Sequence, residues 1–204
     1  MQASDVIHIM VASIVAYCLG SLSFAVIVSK FMDLPDPHSY GSGNPGATNV
    51  LRTGNKKAAI LTLLLDAAKG AVAVLIAKAL GLDGWALAGV TLAVFLGHLF
   101  PIFFGFAGGK GVATAAGILL ALNIWLGLGV LITWLAVAAC FRYSSLAALI
   151  ASIFAPFYTF LNFGVKPVTS AVLIMSALLI WRHKANITNL FAGKESKIGA
   201  KKED

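Results

Sequence analysis

The longest apolar stretch of the chain covers residues 112–141 and reads VATAAGILLALNIWLGLGVLITWLAVAACF. It is longer than the roughly 20 residues that one helix needs to cross the bilayer core. The stretch is therefore either one long tilted helix or two short helices that turn near Asn123. This choice decides whether the chain has six or seven membrane helices.

The distribution of basic residues favours two helices, because short loops rich in Lys and Arg stay in the cytoplasm. If residues 112–141 are split and the N-terminus lies outside, twelve of the fifteen basic residues fall inside, and only Lys78 and Lys166 fall outside. Lys69 then lies within a helix. A six-helix arrangement would separate Arg142 from the C-terminal basic cluster. We therefore predict an all-α polytopic membrane protein with seven transmembrane helices, a periplasmic N-terminus and a cytoplasmic C-terminus.

The composition places the whole chain in the same class. The 204 residues are 59% hydrophobic and 11% charged, with a mean hydropathy of +0.91, which is typical of a membrane protein. Residues 6–28 are long enough to span and lack the basic n-region of a cleaved signal peptide, so we expect them to form the first helix. The other apolar stretches lie near 58–80, 85–104, 146–163 and 168–182.

The net charge of +7 follows from the positive-inside bias and from a lysine-rich end. We therefore expect one integral membrane domain over residues 1–193 and a basic, disordered cytoplasmic tail over 194–204. We expect the tail to contact solvent or membrane lipids and no nucleic acid. Cys18 and Cys140 both lie in apolar runs, which favours a packing role over a disulfide or metal site.

A polar loop separates the first two apolar stretches and reads GSGNPGATNVLR over residues 41–52. Its glycines let the backbone approach a ligand closely, and its polar side chains supply hydrogen-bond donors. Loops of this kind form anion-binding surfaces. The candidate residues are Ser42, Asn44, Gly46, Ala47, Thr48, Asn49 and Arg52.

A second glycine-rich segment reads FFGFAGGKGVAT over residues 103–114, where an apolar helix begins. Backbone N–H groups at a helix N-terminus, together with Lys110, favour a phosphate. Because Gly111 follows the lysine, this is not a Walker A loop. Alone it is also typical of a turn with a snorkelling lysine, but two such loops on one face favour a phosphate site. The candidate residues are Gly108, Gly109, Lys110 and Gly111.

Two further polar segments fall on the same predicted face. One contains Arg142 and Ser145, where the serine is suited to cap the next helix, to contact a ligand, or both. The other begins after the last apolar stretch and places His183 and Asn186 three residues apart, on one face of a helix. Asp66 and Lys69 lie deep in the second helix, where lone charges are costly, so we expect them to pair and to support the site from beneath. A direct contact with substrate is the alternative.

The chemistry is narrowed by what the sequence does not contain. None of the four histidines is followed by Asp five positions later, so the H-x-x-x-x-D motif of the common membrane glycerol-phosphate acyltransferases is absent. The predicted cytosolic loops contain no carboxylate cluster suited to Mg²⁺, and the chain has no G-x-S-x-G elbow. We expect a site with no metal and no cofactor that holds two phosphate groups.

These motifs resemble, in order and over nearly the whole chain, those of the bacterial acyl-phosphate:glycerol-3-phosphate acyltransferases, the PlsY type. The resemblance implies transfer of a fatty acyl group from acyl phosphate to the 1-hydroxyl of glycerol 3-phosphate. The products would be lysophosphatidic acid and phosphate, in the first committed step of phospholipid synthesis. It also implies a location in the bacterial inner membrane, a cytoplasmic active site and functional coupling to the enzyme that makes acyl phosphate.

The resemblance also implies roles for the candidate residues. Ser42, Arg52, Lys110 and Ser145 would hold the glycerol 3-phosphate head, and Thr48 and Asn49 would lie near the acyl phosphate. We expect the hydroxyl to attack directly, with its proton passing either to His183 or to the departing phosphate. The catalytic set is His183, Asn186, Thr48, Asn49 and Lys110. The substrate-binding set is Ser42, Asn44, Gly46, Ala47, Arg52, Gly108, Gly109, Gly111, Arg142 and Ser145.

Two other classes of function are open from the residues alone. A small transporter or flippase for an organic phosphate would also place basic residues beneath the membrane. Such proteins usually show internal repeats and broken helices at the midplane, and the sequence shows no repeat. A structural or regulatory membrane subunit gives no reason for two phosphate-suited loops.

Overall fold

The structure is a computed structural model that describes residues 3–199 of the chain. Within that range the backbone forms ten α-helices and two short 3₁₀ turns, Leu51–Thr53 and Ile102–Phe104. The predicted tail residues Lys201 and Lys202 lie outside the described residues. The helices are α1 (Ala3–Gly20), α2 (Phe24–Phe31), α3 (Ala47–Val50), α4 (Lys56–Ala79), α5 (Gly84–Leu99), α6 (Val112–Leu122), α7 (Ile124–Phe141), α8 (Ser144–Phe163), α9 (Pro167–Arg182) and α10 (Lys184–Phe191).

The long apolar stretch forms two helices, α6 and α7, which meet at Asn123. This residue is extended, with φ −157° and ψ 129°. Its side-chain oxygen accepts hydrogen bonds from the backbone N–H groups of Trp125 (2.9 Å) and Leu126 (3.1 Å), so it caps α7. The predicted turn near Asn123 is confirmed. The 11 residues of α6 span only about 16 Å.

Four helical segments within residues 3–199 are long and apolar enough to cross a bilayer. They are Lys56–Ala79, Gly84–Phe104, Ile124–Phe141 and Ser144–Phe163. Helices α1 and α2 would add a fifth span if they cross as one bent pair, whereas α6 and α9 are apolar but shorter. The described residues are therefore all-helical as predicted, while the number of seven crossings stays a prediction.

The expectation of a single first helix over residues 6–28 is wrong, because the chain bends by 42° between α1 and α2. At this break the hydroxyl of Ser21 donates to the carbonyl of Tyr17 (2.9 Å), in competition with the helical backbone. The carbonyl of Leu22 instead accepts a hydrogen bond from Lys69 Nζ (2.6 Å). The polar group freed by the break is thus satisfied inside the protein, as an apolar surrounding requires.

The helices pack around one main core that contains Phe95, Leu99, Ile118 and Leu126. Helix α4 packs along α6, α1 packs along α5, and α7, α8 and α9 pack in succession. Small residues permit close approach, since a Cβ atom at Gly117 would collide with the backbone of α4. Many large apolar side chains of α1, α4, α7 and α8 remain exposed on the outside of the bundle, which suits a lipid surrounding.

The buried charges of α4 form the predicted pair. Lys69 Nζ lies 2.8 Å from Asp66 Oδ1, and both side chains are buried. His98 of α5 adds a third polar group, with Nδ1 3.6 Å from the same carboxylate oxygen. The pairing expected from the i, i+3 spacing is confirmed, and it lies directly below the second glycine-rich segment because His98 also contacts Gly109.

Candidate active site

The two glycine-rich segments meet at one end of the bundle. The N–H of Gly109 donates to the carbonyl of His98 (3.1 Å), which fixes the second segment on the end of α5. A Cβ atom added to Gly109 would collide with the His98 ring and lie 3.0 Å from the carbonyl oxygen of Pro45. Glycine at position 109 therefore lets the two backbones come into contact, as the shared-site prediction requires.

The first segment is held in shape by the side chain of Asn49, which is only 3% exposed. Its Nδ2 donates to the carbonyls of Pro37 (2.8 Å) and Tyr40 (3.2 Å). Its Oδ1 accepts from the N–H (3.0 Å) and the hydroxyl (3.3 Å) of Ser42. We predicted Asn49 beside the acyl phosphate, but its amide is used within the loop and positions Ser42.

The second segment is clamped by Arg182, at the end of α9. Its Nε donates to the carbonyl of Gly109 (3.1 Å) and its Nη2 to the carbonyl of Gly108 (2.5 Å). These bonds turn the carbonyls of the loop toward the guanidinium. Arg182 is not among the predicted site residues, although a basic residue directly before His183 was an available signal.

A chain of polar contacts joins the remaining segments. Lys110 Nζ donates to Asn186 Oδ1 (2.6 Å), and Asn186 Nδ2 donates to Glu195 Oε1 (2.7 Å). The same carboxylate oxygen accepts from the hydroxyl of Ser145 (2.5 Å). The structure therefore brings together three predicted residues from three segments. Glu195 is an unpredicted member, because an acidic residue in a lysine-rich tail carries no signal in the sequence.

Two local expectations differ from the structure. Ser145 does not cap a helix, because α8 already begins at Ser144 with Tyr143 at its N-cap position. His183 and Asn186 do not share one continuous helix, because His183 lies between α9, which ends at Arg182, and α10, which begins at Lys184. This break lets Asn186 reach Lys110 while His183 turns into the protein.

The other predicted residues lie around this centre. Arg52 lies on the 3₁₀ turn after α3, with its side chain against Gly41, whose φ is +61°. Thr48 is exposed on α3. Arg142 lies at the end of α7, where its Nη2 donates to the carbonyl of Ile198 (3.1 Å). Of the rest, Asn44 lies beside Gly46 at the start of α3, Ala47 is the first residue of α3, and Gly111 precedes α6 with φ +88°.

His38 makes a second contact between loops that was not among the predicted site residues. Its Nε2 lies 3.0 Å from the carbonyl oxygen of Ala107, and its Nδ1 lies 2.7 Å from Asp36 Oδ1. The backbone N–H of His38 also donates to that carboxylate, which lowers the pKa of Asp36. The ring thus connects the segment before the first glycine-rich loop to the second loop.

The site is electropositive and partly removed from water, since Lys110 is half-buried while Arg52 is exposed. Burial lowers the pKa of Lys110, and the nearby guanidinium groups of Arg182 and Arg52 lower it further, while Glu195 acts in the opposite direction. An anion placed among these cations would relieve their mutual repulsion. Within residues 3–199, no three His, Cys, Asp or Glu side chains are grouped so as to hold a metal ion.

His183 is buried at the edge of this centre, with 3% of its surface exposed. Burial lowers its pKa to about 4, and the positive charges of Lys110 and Arg182 contribute to the shift. Its Nδ1 lies 2.8 Å from the carbonyl oxygen of Leu179, which accepts the hydrogen bond. The ring is therefore neutral near pH 7, with Nδ1 protonated and Nε2 available as an acceptor.

We expect acid to destabilise the protein through His183. Between pH 6.5 and pH 4 the unfolded chain binds a proton at this residue and the folded chain does not, so stability falls as the pH is lowered. The shift to about 4 corresponds to a loss of about 3 kcal/mol by pH 4. Thermal unfolding in detergent between pH 7 and pH 4.5 measures it. A His183→Gln variant should lack this part of the decline, and equal declines in both proteins would contradict the expectation.

Comparison with known proteins identifies the family. The family model described as glycerol-3-phosphate acyltransferase matches residues 10–193. A relative of the same description from Ralstonia nicotianae is 61% identical over 204 residues, which cover 98% of this chain and 99% of the relative. The chain belongs to the glycerol-3-phosphate acyltransferase family. A further member, from Cupriavidus metallidurans, is 65% identical over 195 residues, with 94% and 96% of the two chains covered.

Solved structures show the same fold for the acyltransferase. The crystal structure of PlsY (YgiH), an integral membrane glycerol 3-phosphate acyltransferase, in its glycerol 3-phosphate form matches with a TM-score of 0.89 and 40% identity. The form with lysophosphatidic acid matches with a TM-score of 0.87. Each alignment covers 94% of this chain and 96% of the other. The resemblance noted from the motifs is confirmed, and the protein is an integral membrane enzyme of this family.

Proposed function

We propose that this acyltransferase moves a fatty acyl group from acyl phosphate to the sn-1 hydroxyl of glycerol 3-phosphate, giving lysophosphatidic acid and phosphate. This would be the first committed step of phospholipid synthesis. The proposal is supported by the solved relatives, which are described in forms with glycerol 3-phosphate and with lysophosphatidic acid. It needs no metal or cofactor, because an acyl phosphate already carries a good leaving group.

The observation that carries the proposal is the set of cations gathered where the two glycine-rich segments meet. Arg52, Lys110 and Arg182 lie close enough for the two arginines to lower the pKa of the lysine. Both substrates carry phosphate, and phosphate oxygens suit guanidinium and ammonium donors. Arg182 is already bonded to the loop carbonyls, so we assign the phosphate contacts to Arg52 and Lys110.

We assign the glycerol 3-phosphate head to Ser42, Arg52, Lys110 and Ser145. The acyl phosphate then lies by Thr48 and the backbone of the two loops, where N–H groups would stabilise the oxyanion of the tetrahedral intermediate. Asn49 acts by holding Ser42 in place. The other predicted residues form the walls of this site in the proposal. They are Asn44, Gly46, Ala47, Gly108, Gly109, Gly111, Arg142 and Asn186.

The acyl chain has a groove that begins at the polar site. Between α8 and α10 an open cavity of about 370 Å³ is lined entirely by apolar side chains. Two of them directly follow site residues, Leu146 after Ser145 and Ile187 after Asn186, so a chain lying there would place its polar end at the site. The lining residues are Leu146, Leu149, Ile187, Leu190 and Phe191.

The proton of the attacking hydroxyl passes to the phosphate rather than to His183. With a pKa of about 4, the imidazole would cost about 4 kcal/mol to protonate at pH 7. The departing phosphate gains negative charge and becomes more basic as its bond to the acyl carbon breaks, so it accepts the proton more readily. His183 then serves as a neutral acceptor in the wall of the site, through Nε2.

The membrane arrangement proposed from the charges follows the order of the helices. The bent pair α1–α2 and helices α4 to α9 give seven crossings, with the N-terminus periplasmic and the C-terminus cytoplasmic. The site then opens on the cytoplasmic face of the bacterial inner membrane, where the enzyme that makes acyl phosphate would supply the donor. The single membrane domain over residues 1–193 is retained in this proposal, whereas Glu195 of the predicted tail contacts the site.

The test is release of inorganic phosphate by detergent-purified protein given palmitoyl phosphate and glycerol 3-phosphate. We expect release that requires both substrates and survives EDTA. Omission of glycerol 3-phosphate is the control for simple hydrolysis of the acyl phosphate. Turnover only with another acyl donor, or none with any donor, would overturn the proposal.

A further inference from the structure

The segment after α10 crosses the mouth of the site. The N–H of Lys194 donates to the carbonyl of Asn189 (2.8 Å) as α10 ends. Farther along, the N–H of Ile198 donates to the carbonyl of Arg142 (2.6 Å), and Arg142 Nη2 donates back to the carbonyl of Ile198 (3.1 Å). Residues 194–199, here called the strap, therefore run from the end of α10 to the end of α7.

Glu195 is the point where the strap enters the site. Its side chain is half-buried, whereas the other residues from 191 to 199 are exposed. Its carboxylate accepts hydrogen bonds from Ser145 (2.5 Å) and Asn186 (2.7 Å), and Asn186 in turn accepts from Lys110. An anionic group of the protein thus occupies donors that the proposed function assigns to a phosphate-bearing substrate.

Carboxylate and phosphate cannot use these donors together. The hydroxyl of Ser145 has one proton, and it is given to Glu195. A phosphate placed beside Lys110 would also be repelled by a like charge, because the carboxylate of Glu195 is close enough to act on the pKa of that lysine. The phosphate carries nearly twice the charge of the carboxylate and three acceptor oxygens, so it is the stronger ligand.

We propose that the strap is an autoinhibitory element, in which Glu195 competes with the phosphate group of glycerol 3-phosphate. This inference rests on the proposed function, because it concerns the same site. Apart from the Glu195 contacts, the strap is fixed mainly at its two ends, and the Arg142–Ile198 side-chain bond there is exposed, so a bound substrate can displace the strap. The match to the family model ends at residue 193, directly before the strap.

The alternative is that Glu195 positions Ser145 and Asn186 for catalysis, and it predicts the opposite result. Removing a competing charge should lower the KM for glycerol 3-phosphate, whereas removing a positioning residue should raise KM or lower kcat. Two variants act on the strap independently. Glu195→Gln removes the charge, and Ile198→Pro removes the N–H that bonds to Arg142.

We expect both variants to lower the KM for glycerol 3-phosphate by roughly three- to ten-fold, with kcat within about two-fold of the native protein. The matched control is Glu203→Gln, which makes the same substitution outside the described residues and should leave KM unchanged. An unchanged or higher KM in Glu195→Gln, or an equal effect in the control, would overturn the proposal.

Calorimetric binding of inorganic phosphate to the same proteins separates this inference from the proposed function. The strap proposal expects Glu195→Gln and Ile198→Pro to bind phosphate more tightly than the native protein, by a similar factor. Equal affinities would overturn it even if the acyltransferase reaction is confirmed. If the native protein shows no turnover, the proposed function fails, and the phosphate affinities still decide whether the strap competes for the site.

Discussion

Lys110→Ala should lower kcat/KM for glycerol 3-phosphate by about 10²- to 10⁴-fold. Lys110 belongs to the second glycine-rich segment, and its ammonium group donates a hydrogen bond to Asn186. Its half-buried position and its cationic neighbours lower its pKa, so an anion at this point gains more than it would at the surface. Because Lys110 is assigned to the phosphate of glycerol 3-phosphate, most of the loss should appear as a higher KM for that substrate.

The matched control for this variant is Lys78→Ala. Lys78 also bonds to the protein through its ammonium group, with Nζ 3.1 Å from the carbonyl of Ala121 and 3.3 Å from that of Leu122. It lies at the far end of α6 from Lys110, so its loss should change activity less than about three-fold. Phosphate release measures both variants. Similar losses in both would mean that Lys110 acts through stability, and an active Lys110→Ala would remove it from the site.

Much of the fold is predictable because hydropathy and capping are local properties. The apolar stretches near 58–80 and 146–163 correspond to α4 and α8 within two residues at each end. Asn123 signals its own turn, since a polar residue in an apolar run is suited to cap a helix. The break at residues 21–23 depends only in part on a local contact, the hydrogen bond from Ser21 to Tyr17. It is satisfied by Lys69, which lies 47 residues away from Leu22.

The candidate site shows the same division between local and distant signals. Lys110, Asn186 and Ser145 stand out as polar residues beside apolar helices, and the structure brings them together. Composition does not reveal which polar groups satisfy one another inside the loops. For that reason the sequence predicts a substrate contact for Asn49, whereas the structure shows it bonded to Ser42. Glu195 is not predicted because its role depends only on where the strap lies.

Gly108 shows most clearly how a residue elsewhere in the chain constrains the loop, because α5 leaves no room for a side chain at this position. We expect Gly108→Ala to lower kcat/KM by at least about 10²-fold. A Cβ atom there would collide with the carbonyl oxygens of His98 and Leu99 and would come 2.5 Å from Pro101 Cδ. These are backbone atoms and a ring, which cannot turn aside, so the loop itself must shift. The shift would break the hydrogen bond from Arg182 to the carbonyl of Gly108.

The control for Gly108→Ala is Gly89→Ala, on the same helix that supplies the colliding carbonyls. A Cβ atom at Gly89 has Ser13 Oγ as its nearest neighbour at 3.6 Å, which is an ordinary contact, and alanine favours a helix over glycine. This variant should retain activity and thermal stability. Steady-state kinetics and thermal unfolding measure both. If Gly108→Ala keeps near-native kcat/KM, the loop is not held against α5 as described, and the phosphate site must be formed by the first loop alone.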